Sequence, residues 1–230
     1  MCKDDAGRYW VFSSGVGIEI RNSPDRVTWT RVGVAFPDGT PWATPYNNQT
    51  PPCVLLLSTF STVAEFICQA IDPNLLIDDG KWFLSFGSFW TGIKFLDPTS
   101  GKPTGPLTAL SQRTADGGAE EASVVFKNNN LYFLFTSWDH CCLGTSSNYN
   151  IRVGRAKTVS GPYVDEDGVD LLSGGGTLVL GSHDNITGPG GQDLLDDKDG
   201  PILIYHYYTS TGSLLGINRL DFTSGWPVVV

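Results

Sequence analysis

The sequence has few basic residues and no apolar run long enough to cross a membrane. It contains 15 Lys+Arg against 24 Asp+Glu, which gives a formal net charge of −9, and the basic residues do not cluster. Nucleic acid and anionic membranes are therefore poor partners. The most apolar stretch, residues 51–68, contains Glu65 and falls short of the roughly 20 residues that a span requires. No signal peptide is predicted, because the residues after Met1 form no hydrophobic region.

The cysteines do not have the C-x-x-C spacing of a zinc knuckle. They are Cys2, Cys53, Cys68, Cys141 and Cys142. An odd number leaves at least one thiol unpaired if the others form bridges. The adjacent pair could form a vicinal disulfide or remain as two packed thiols, and the sequence does not choose between them. The sequons at Asn48 and Asn185 are compatible with secretion, but such tripeptides are frequent by chance.

Apolar stripes with helical periodicity are scarce, whereas aromatic residues, glycine and proline are abundant. The chain has 7 Trp, 8 Tyr, 12 Phe, 27 Gly and 14 Pro, which is typical of an all-β protein. Its 230 residues are sufficient for one domain, and propellers use this length without splitting. An acidic, aromatic-rich protein suits a neutral sugar, because carboxylates accept hydroxyl hydrogen bonds and aromatic rings stack on C–H faces.

Two stretches, 72–88 and 121–137, repeat each other without a gap at an offset of 49 residues. Each begins with a carboxylate, Asp72 or Glu121, and continues as an apolar strand, a turn of Asp, Asn or Gly, and an aromatic strand. This pattern predicts β-hairpins, and its repetition indicates propeller blades. Equivalent acids on neighbouring blades would both face the central channel, so we expect Asp72 and Glu121 to lie in one site.

Two looser copies extend the repeat. Residues 9–14 match residues 83–88 at an offset of 74, which places the counterpart of Asp72 at position −2, before the first residue. In the copy at 191–208, the acid position is taken by Gln192. Outer strands are predicted after each hairpin, and those of the third blade run over 149–155 and end in a turn at 160–164. Residues 51–69 fit no blade.

Several motifs together resemble the fungal arabinan endo-1,5-α-L-arabinosidases of glycoside hydrolase family 43. The resemblance is close over residues 70–230 and fair over residues 7–45. The motifs are Ala70–Asn74, Gly80–Trp90, Glu121-Ala-Ser, Phe135–Asp139, Gly181–Asn185, Gly188–Gln192 and Asp221–Val228.

The resemblance implies a five-bladed, all-β propeller that forms a single catalytic domain over residues 1–230. It implies a secreted monomer that hydrolyses internal α-1,5 links of arabinan, a side chain of plant cell-wall pectin, and arabino-oligosaccharides, with inversion. The first blade is expected to be truncated and the second to be largely missing, with residues 51–69 as an atypical replacement. A shortened gene model is the simplest explanation for both expectations.

Three acids act together in that family. On this sequence Glu121 matches the general acid and Asp72 matches the residue that tunes its pKa and orients it. Inversion needs a water between the general base and the sugar, with carboxyl groups roughly 6.5–9.5 Å apart. The general base is expected before the first residue, so we expect this chain as written to be inactive or severely impaired.

Other positions match the family's binding residues. The resemblance implies substrate contacts from Asn74, Ser88, Phe89, Trp90 and Gln192, although for Phe89 packing within the blade is an equal alternative. It implies that His183 helps to hold a calcium or another hydrated cation in the channel, with no organic cofactor. The alternative for His183 is a loop histidine bonded to backbone. Trp138 and Asp139, like Phe89, could either bind the substrate or pack within the blade.

Two further functions stay open at this point. One is a catalytically inactive, carbohydrate-binding propeller that keeps Glu121 and Asp72 but lacks the general base. The other is an exo-acting arabinofuranosidase or β-xylosidase, which would differ in the loops that close the channel.

Overall fold

The computed structural model of the protein describes residues 1–13, 17–39 and 71–230. The predicted atypical segment 51–69 lies outside the described residues. Contacts divide the chain into two compact units, Met1–Ile71 and Asp72–Val230. The expectation of a single domain stays a prediction.

The described part of the first unit is a four-stranded antiparallel sheet, here called the first sheet. Its strands, in spatial as well as chain order, are β1 (Cys2–Lys3), β2 (Tyr9–Ser13), β3 (Glu19–Ser23) and β4 (Thr30–Val34). Tyr9 is buried between the cationic groups of Lys3 and Arg26, which lie 4.6 and 5.5 Å from the centre of its ring. The side chain of Glu19 pairs with Arg21 and Arg31 on the exposed face.

The second unit contains three further antiparallel sheets of four strands each. The second sheet consists of β5 (Asn74–Asp78), β6 (Lys81–Phe86), β7 (Thr91–Leu96) and β8 (Pro103–Ser111). The third consists of β9 (Glu120–Asn128), β10 (Leu131–Trp138), β11 (Asn150–Ala156) and β12 (Thr177–Leu180). The fourth consists of β13 (Thr187–Asp197), β14 (Gly200–Thr209), β15 (Gly212–Asp221) and β16 (Val228–Val229). Short 3-10 turns occupy Asp116–Gly118, Gly144–Ser146 and Leu171–Ser173.

Every sheet runs up and down through strands that are consecutive in the sequence, which is the topology of a propeller blade. The prediction of an all-β protein is confirmed for the described residues. None of the helical segments in these residues has the length and apolar character needed to cross a membrane.

The two halves of the repeat fold as predicted. β5 pairs with β6 through a two-residue turn, and β9 pairs with β10 in the same way. Asp79 and Gly80 both have positive φ, 49° and 71°, as a tight hairpin turn requires. Asn129, in the equivalent turn, has a φ of 53°. Asp, Asn and Gly tolerate this conformation better than other residues, which explains why the turn signal in the sequence was reliable.

Two hydrophobic clusters lie on either side of the third sheet. Phe83, Ile93 and Leu110 of the second sheet pack with Val125 and Leu134 of the third. On the opposite face, Val124, Phe133 and Phe135 pack with Leu203 and Tyr205 of the fourth sheet and with Trp226, which lies between β15 and β16. Val124 and Val125 point to opposite faces because side chains alternate along a strand. The third sheet is therefore apolar on both faces.

The outer edge of the third sheet differs from the sequence-based expectation. Its fourth strand is β12 (Thr177–Leu180), whereas the turn at 160–164 contributes two isolated bridges, from Val164 to Arg155 and from Val164 to Asp170. β12 is a short edge strand between glycines, with Leu178 exposed, so it lacks the alternating pattern that marks a longer strand.

Candidate active site

The fold brings together the two carboxylates of the repeat. Asp72 lies just before β5, and Glu121 is the second residue of β9. The backbone N–H of Ala122 donates a hydrogen bond to Oδ2 of Asp72 at 3.2 Å. Because Ala122 directly follows Glu121, this bond joins the second sheet to the third beside both acids. The prediction that Asp72 and Glu121 share a site is consistent with this contact.

A bulge at the start of β9 orients the N–H group of Ala122 towards Asp72. The pairing of β9 with β10 shifts register between Phe135 and Ser137, and Ala122 has a φ of 56°. Such a left-handed conformation costs about 1–2 kcal/mol for a residue with a Cβ atom. Ala122 is buried, so the surrounding contacts must hold it in place. The bulge turns the strand locally at the point where the chain carries its acid.

Two hydroxyl groups hold the carboxylate of Glu121. The O–H of Tyr149 donates to Oε1 at 2.7 Å, and the O–H of Ser88 donates to Oε2 at 3.2 Å. Ser88 also forms an isolated β-bridge with Glu121. Burial, followed by the charge of Glu121, holds the pKa of Tyr149 well above its usual value. The sequence does not single out Tyr149, because a tyrosine at the start of the strand sequence of β11 resembles an ordinary core residue.

Asp72 holds its proton more tightly than an ordinary aspartate. Burial and then the negative charge of Glu121 raise its pKa from 3.8 to about 6, against the opposing effect of the Ala122 N–H. Below about pH 6 Asp72 therefore tends to keep a proton that an exposed aspartate would have lost.

The predicted binding residues lie in different surroundings. Phe89 is 49% exposed with a φ of 63°, and its N–H donates to the carbonyl of Glu120 at 2.6 Å. Trp90 packs against Phe86 in a T-shaped arrangement, with ring centres 5.8 Å apart. Asn74 donates to Oδ1 of Asp193 at 3.4 Å, between β5 and β13. Phe89 thus presents an aromatic surface beside the strand of the acid, and the substrate contacts themselves stay predictions.

Gln192 is buried, and both ends of its amide have protein partners. Its Nε2 donates to the carbonyl of Ala122 and its Oε1 accepts from the hydroxyl of Ser137, each at 2.5 Å. The structure therefore places Gln192 near the acids, as the repeat predicts. Its side chain is buried and is bonded to Ala122 and Ser137.

Comparison with known proteins decides the family. The model of the family described as "Glycosyl hydrolases family 43" matches residues 58–227. The chain belongs to glycosyl hydrolase family 43. The family predicted from the sequence motifs is confirmed.

Relatives of this family 43 chain include several arabinanases. It is 45% identical over 165 residues to extracellular endo-α-(1→5)-L-arabinanase 1 of Bacillus subtilis, across 69% of the chain and 50% of that relative. It is 33% identical to arabinan endo-1,5-α-L-arabinosidase A of Aspergillus niger, across 99% of the chain and 88% of that relative. The matched part of the chain thus spans about half the length of the Bacillus protein and most of the length of the Aspergillus protein.

A solved structure shows the same fold. The crystal structure of an exo-1,5-α-L-arabinanase from a bovine ruminal metagenomic library superposes with a TM-score of 0.85 at 27% identity, covering 100% of this chain and 95% of the other. The family 43 chain is therefore an all-β propeller, and its described residues form four blades. The count of five blades stays a prediction.

Histidines of the family 43 chain differ in their relation to the acids. His183 is exposed, and its Nδ1 lies 2.9 Å from the carbonyl oxygen of Gly181. His206 was missed in the sequence, yet its ring lies 5.9 Å from that of Tyr149 and its Nε2 lies 3.0 Å from the hydroxyl of Tyr208. Burial lowers the pKa of His206, and the charge of Glu121 partly opposes this shift. His206 thus lies close enough to the site for the charge of Glu121 to affect its pKa.

The calcium ion implied for His183 has no set of side-chain ligands in the part of the chain that the structure describes. No group of three or more His, Cys, Asp or Glu side chains there is arranged to hold a metal. Calcium prefers several oxygen ligands, which a histidine bonded to its own loop does not supply. The calcium site stays a prediction.

Trp138 and Asp139 belong to a structural network. The Trp138 ring is buried between the guanidinium groups of Arg113 and Arg152, whose carbons lie 4.9 and 5.0 Å from its centre. Asp139 pairs with Arg113 and accepts from the amide of Asn150 at 2.6 Å. Of the two roles considered for this pair, these contacts favour packing.

Glu120 is a buried carboxyl beside the acid in sequence, with 2% of its surface exposed. Burial raises its pKa from 4.5 to about 7, although Ser111, the backbone of Arg113 and Thr136 favour the charged form. Glu121 is half-buried and hydrogen-bonded to hydroxyl groups that border the site, whereas Glu120 is enclosed. Two adjacent glutamates therefore have different environments, and only the second is placed to meet a ligand.

Proposed function

We propose that the protein is an arabinan endo-1,5-α-L-arabinosidase, which cleaves internal α-1,5 links of arabinan with inversion. The single observation that carries the proposal is the contact of Asp72 with Ala122, which joins the two acids in a family 43 propeller. The names of the Bacillus and Aspergillus relatives support the substrate. The aromatic surface of Phe89 beside Glu121 suits the C–H face of a sugar.

In this proposal Glu121 is the general acid. It gives its proton to the glycosidic oxygen as the bond to the anomeric carbon breaks, so that the departing sugar leaves as a neutral alcohol. The hydroxyls of Tyr149 and Ser88 fix the direction of the carboxyl group. Asp72 is the neighbouring carboxyl that orients and tunes the acid, and burial together with the charge of Glu121 raises its own pKa to about 6.

The attacking water must approach the opposite face of the sugar, where a general base takes its proton. The identity of this base stays a prediction. Azide requires no general base, because it attacks without losing a proton. With azide, the C–O bond of the α-linked sugar would break, a C–N bond of β configuration would form, and the proton of Glu121 would pass to the leaving oxygen.

The test is incubation with linear α-1,5-arabinan, with and without azide, followed by chromatography of the products. We expect arabino-oligosaccharides, or β-arabinofuranosyl azides in the azide arm. Glu121→Gln should lower the rate on arabinan by roughly 10²–10⁴-fold, since general acid catalysis is lost. An aryl arabinofuranoside whose leaving group needs no proton should be affected much less.

The control is Glu166→Gln, which neutralises an exposed glutamate on a loop and should change neither rate. Equal losses of Glu121→Gln on arabinan and on the aryl substrate would contradict the acid assignment. Binding of arabino-oligosaccharides without any product, even in azide, would favour the inactive carbohydrate-binding alternative.

Exo action is the second candidate, because one of the similar solved structures is that of an exo-acting arabinanase. The same incubation separates the two. An endo-acting enzyme first produces a range of oligosaccharides and quickly lowers the viscosity of arabinan, whereas an exo-acting enzyme releases one short product from the chain end. The alternative as a β-xylosidase predicts activity on aryl xylosides instead.

The remaining family properties are proposals of the same kind. We propose a monomer with five blades that acts outside the cell, since the Bacillus relative is named as extracellular. Light scattering of the purified protein tests the monomer, and detection in the culture medium of the producing organism tests secretion. Dialysis against ⁴⁵Ca²⁺, compared between the wild type and His183→Ala, tests the predicted calcium.

A further inference from the structure

The amide of Gln192 forms hydrogen bonds to the protein from both its nitrogen and its oxygen. Only 4% of the residue is exposed. Its Nε2 donates to the carbonyl of Ala122, and its Oε1 accepts from the hydroxyl of Ser137. The Ser137 oxygen in turn accepts from the N–H of Gly191 at 2.9 Å. With only 4% of the residue exposed, the Gln192 amide offers little surface to a ligand.

These bonds meet at the bulge that carries the acid. They connect β13 with both strands that form the bulge, β9 and β10. The backbone of Ala122 is held on both sides, because its N–H donates a hydrogen bond to Asp72 and its carbonyl accepts one from Gln192. A residue held at a φ of 56° returns to a more favourable conformation unless both sides are restrained. Gln192 supplies the restraint on the carbonyl side.

We propose that Gln192 is a positioning residue that acts through Ala122 on the pair of acids, and that it is not a substrate contact. The proposal rests on the proposed function for its kinetic consequences, but not for its structural ones. Glutamine is required because the position needs a donor towards Ala122 and an acceptor towards Ser137 from one side chain. Leucine supplies neither group, and an ionised glutamate offers only acceptors.

Three variants test the proposal: Gln192→Leu, Gln192→Glu and, as a control, Tyr163→Phe. Tyr163 is buried in the other hydrophobic cluster, where its hydroxyl donates to the carbonyl of Val159 at 2.9 Å. The control therefore also loses one buried bond from a side chain to a backbone carbonyl. Thermal unfolding of each variant, followed by circular dichroism, shows how much of any effect is general destabilisation.

The first readout is the titration of Asp72, followed by carbon-13 NMR of its carboxyl group. If Gln192 holds Ala122, its loss frees the N–H that favours ionised Asp72, so the pKa of Asp72 rises above that of the wild type. The control should leave it unchanged. This readout needs no substrate, so it decides the positioning role even if the wild type hydrolyses no arabinan, in which case only the proposed function fails.

The second readout is hydrolysis of linear arabino-oligosaccharides. Gln192→Leu should lower kcat by roughly 10–100-fold, as a small misplacement of an acid does, with KM changed less than about twofold. Gln192→Glu should lose activity near neutral pH and recover part of it at acidic pH, because a protonated carboxyl again provides one donor and one acceptor.

A raised KM with unchanged kcat and an unchanged titration of Asp72 would overturn the proposal and make Gln192 a substrate contact. Loss of stability alone, with the Asp72 titration unchanged, would show a purely structural residue. If Gln192→Leu does not fold, the comparison of Gln192→Glu at acidic and neutral pH decides, since absence of the acidic recovery counts against the proposal.

Discussion

At the scale of single residues, the neighbours Glu120 and Glu121 show how position along a strand separates two chemically identical groups. One carboxyl is enclosed by Ser111 and Thr136, and the other is held by Ser88 and Tyr149 beside Asp72. The sequence identified Glu121 because the repeat aligned it with Asp72. It gave no reason to separate Glu120 from an ordinary exposed glutamate, since burial of a charge depends on which sheet packs against the strand.

Glu120 should make the protein less stable as the pH rises. Its pKa is about 7 in the folded chain against 4.5 ordinarily, so between these values the unfolded chain loses the proton first. The free energy of unfolding should therefore fall with pH across this window, by about 3 kcal/mol in total, and level off above it. Glu120→Gln, which cannot ionise, should lose this part of the slope in urea denaturation between about pH 4.5 and 7.5.

Asp72 contributes a slope of the same sign between its ordinary pKa of 3.8 and about 6. The comparison of Glu120→Gln with the wild type removes this contribution, because both proteins contain Asp72. The exposed-site variant Glu166→Gln serves as the control and should keep the wild-type slope. An unchanged slope in Glu120→Gln would show that the buried carboxyl is ionised in the folded protein.

At the scale of elements, the bulge in β9 is the feature on which the site depends. Ala122→Gly should retain activity and keep the free energy of unfolding within about 1 kcal/mol, because glycine adopts a positive φ without strain. Ala122→Val should lower it by about 2–3 kcal/mol, since a β-branched residue fits this conformation poorly. Urea denaturation measures both changes.

Ala109→Val is the matched control, because it makes the same substitution on an exposed position of β8. We expect a change within about 0.5 kcal/mol there. A similar cost at both positions would mean that the bulge at Ala122 carries no particular strain.

The elements that the sequence predicted are those with strong local signals. The hairpins β5–β6 and β9–β10 were found because their turns use Asp, Asn and Gly, whose tolerance of positive φ is a local property. β12 was missed, because a short edge strand gains its partner only from the packing of the sheet. The same reason hid Tyr149 and His206, whose roles depend on side chains that are distant in the sequence.

At the scale of the second unit, the C-terminal segment closes against the third sheet. Trp226 is buried among Phe133 and its neighbours, and the guanidinium carbon of Arg155 lies 4.4 Å from the centre of its ring. Arg155 also donates to the carbonyl of Gly225 at 2.8 Å. Gly225 and Trp226, near the C-terminus, thus contact Arg155 of β11, which lies in the preceding blade.

Trp226→Ala should lower the free energy of unfolding by about 3–5 kcal/mol, because it removes a large buried ring and leaves a cavity between two blades. Chemical denaturation followed by circular dichroism provides the measurement. Leu178→Ala, on the exposed edge strand, is the control and should change stability by less than about 0.5 kcal/mol. A loss at Trp226 no larger than that of the control would exclude this closure as a main source of stability.

The repeat has an evolutionary consequence. Asp72, Glu121 and Gln192 stand at the same place in three copies of one hairpin. Duplication of such a hairpin would give a chain several copies of a single position, each of which could then mutate independently. A carboxylate could become a proton donor in one copy, its neighbour in a second, and an amide brace in a third, by point substitutions that leave the strands and turns intact. New chemistry could thus arise in this architecture without the invention of a new backbone.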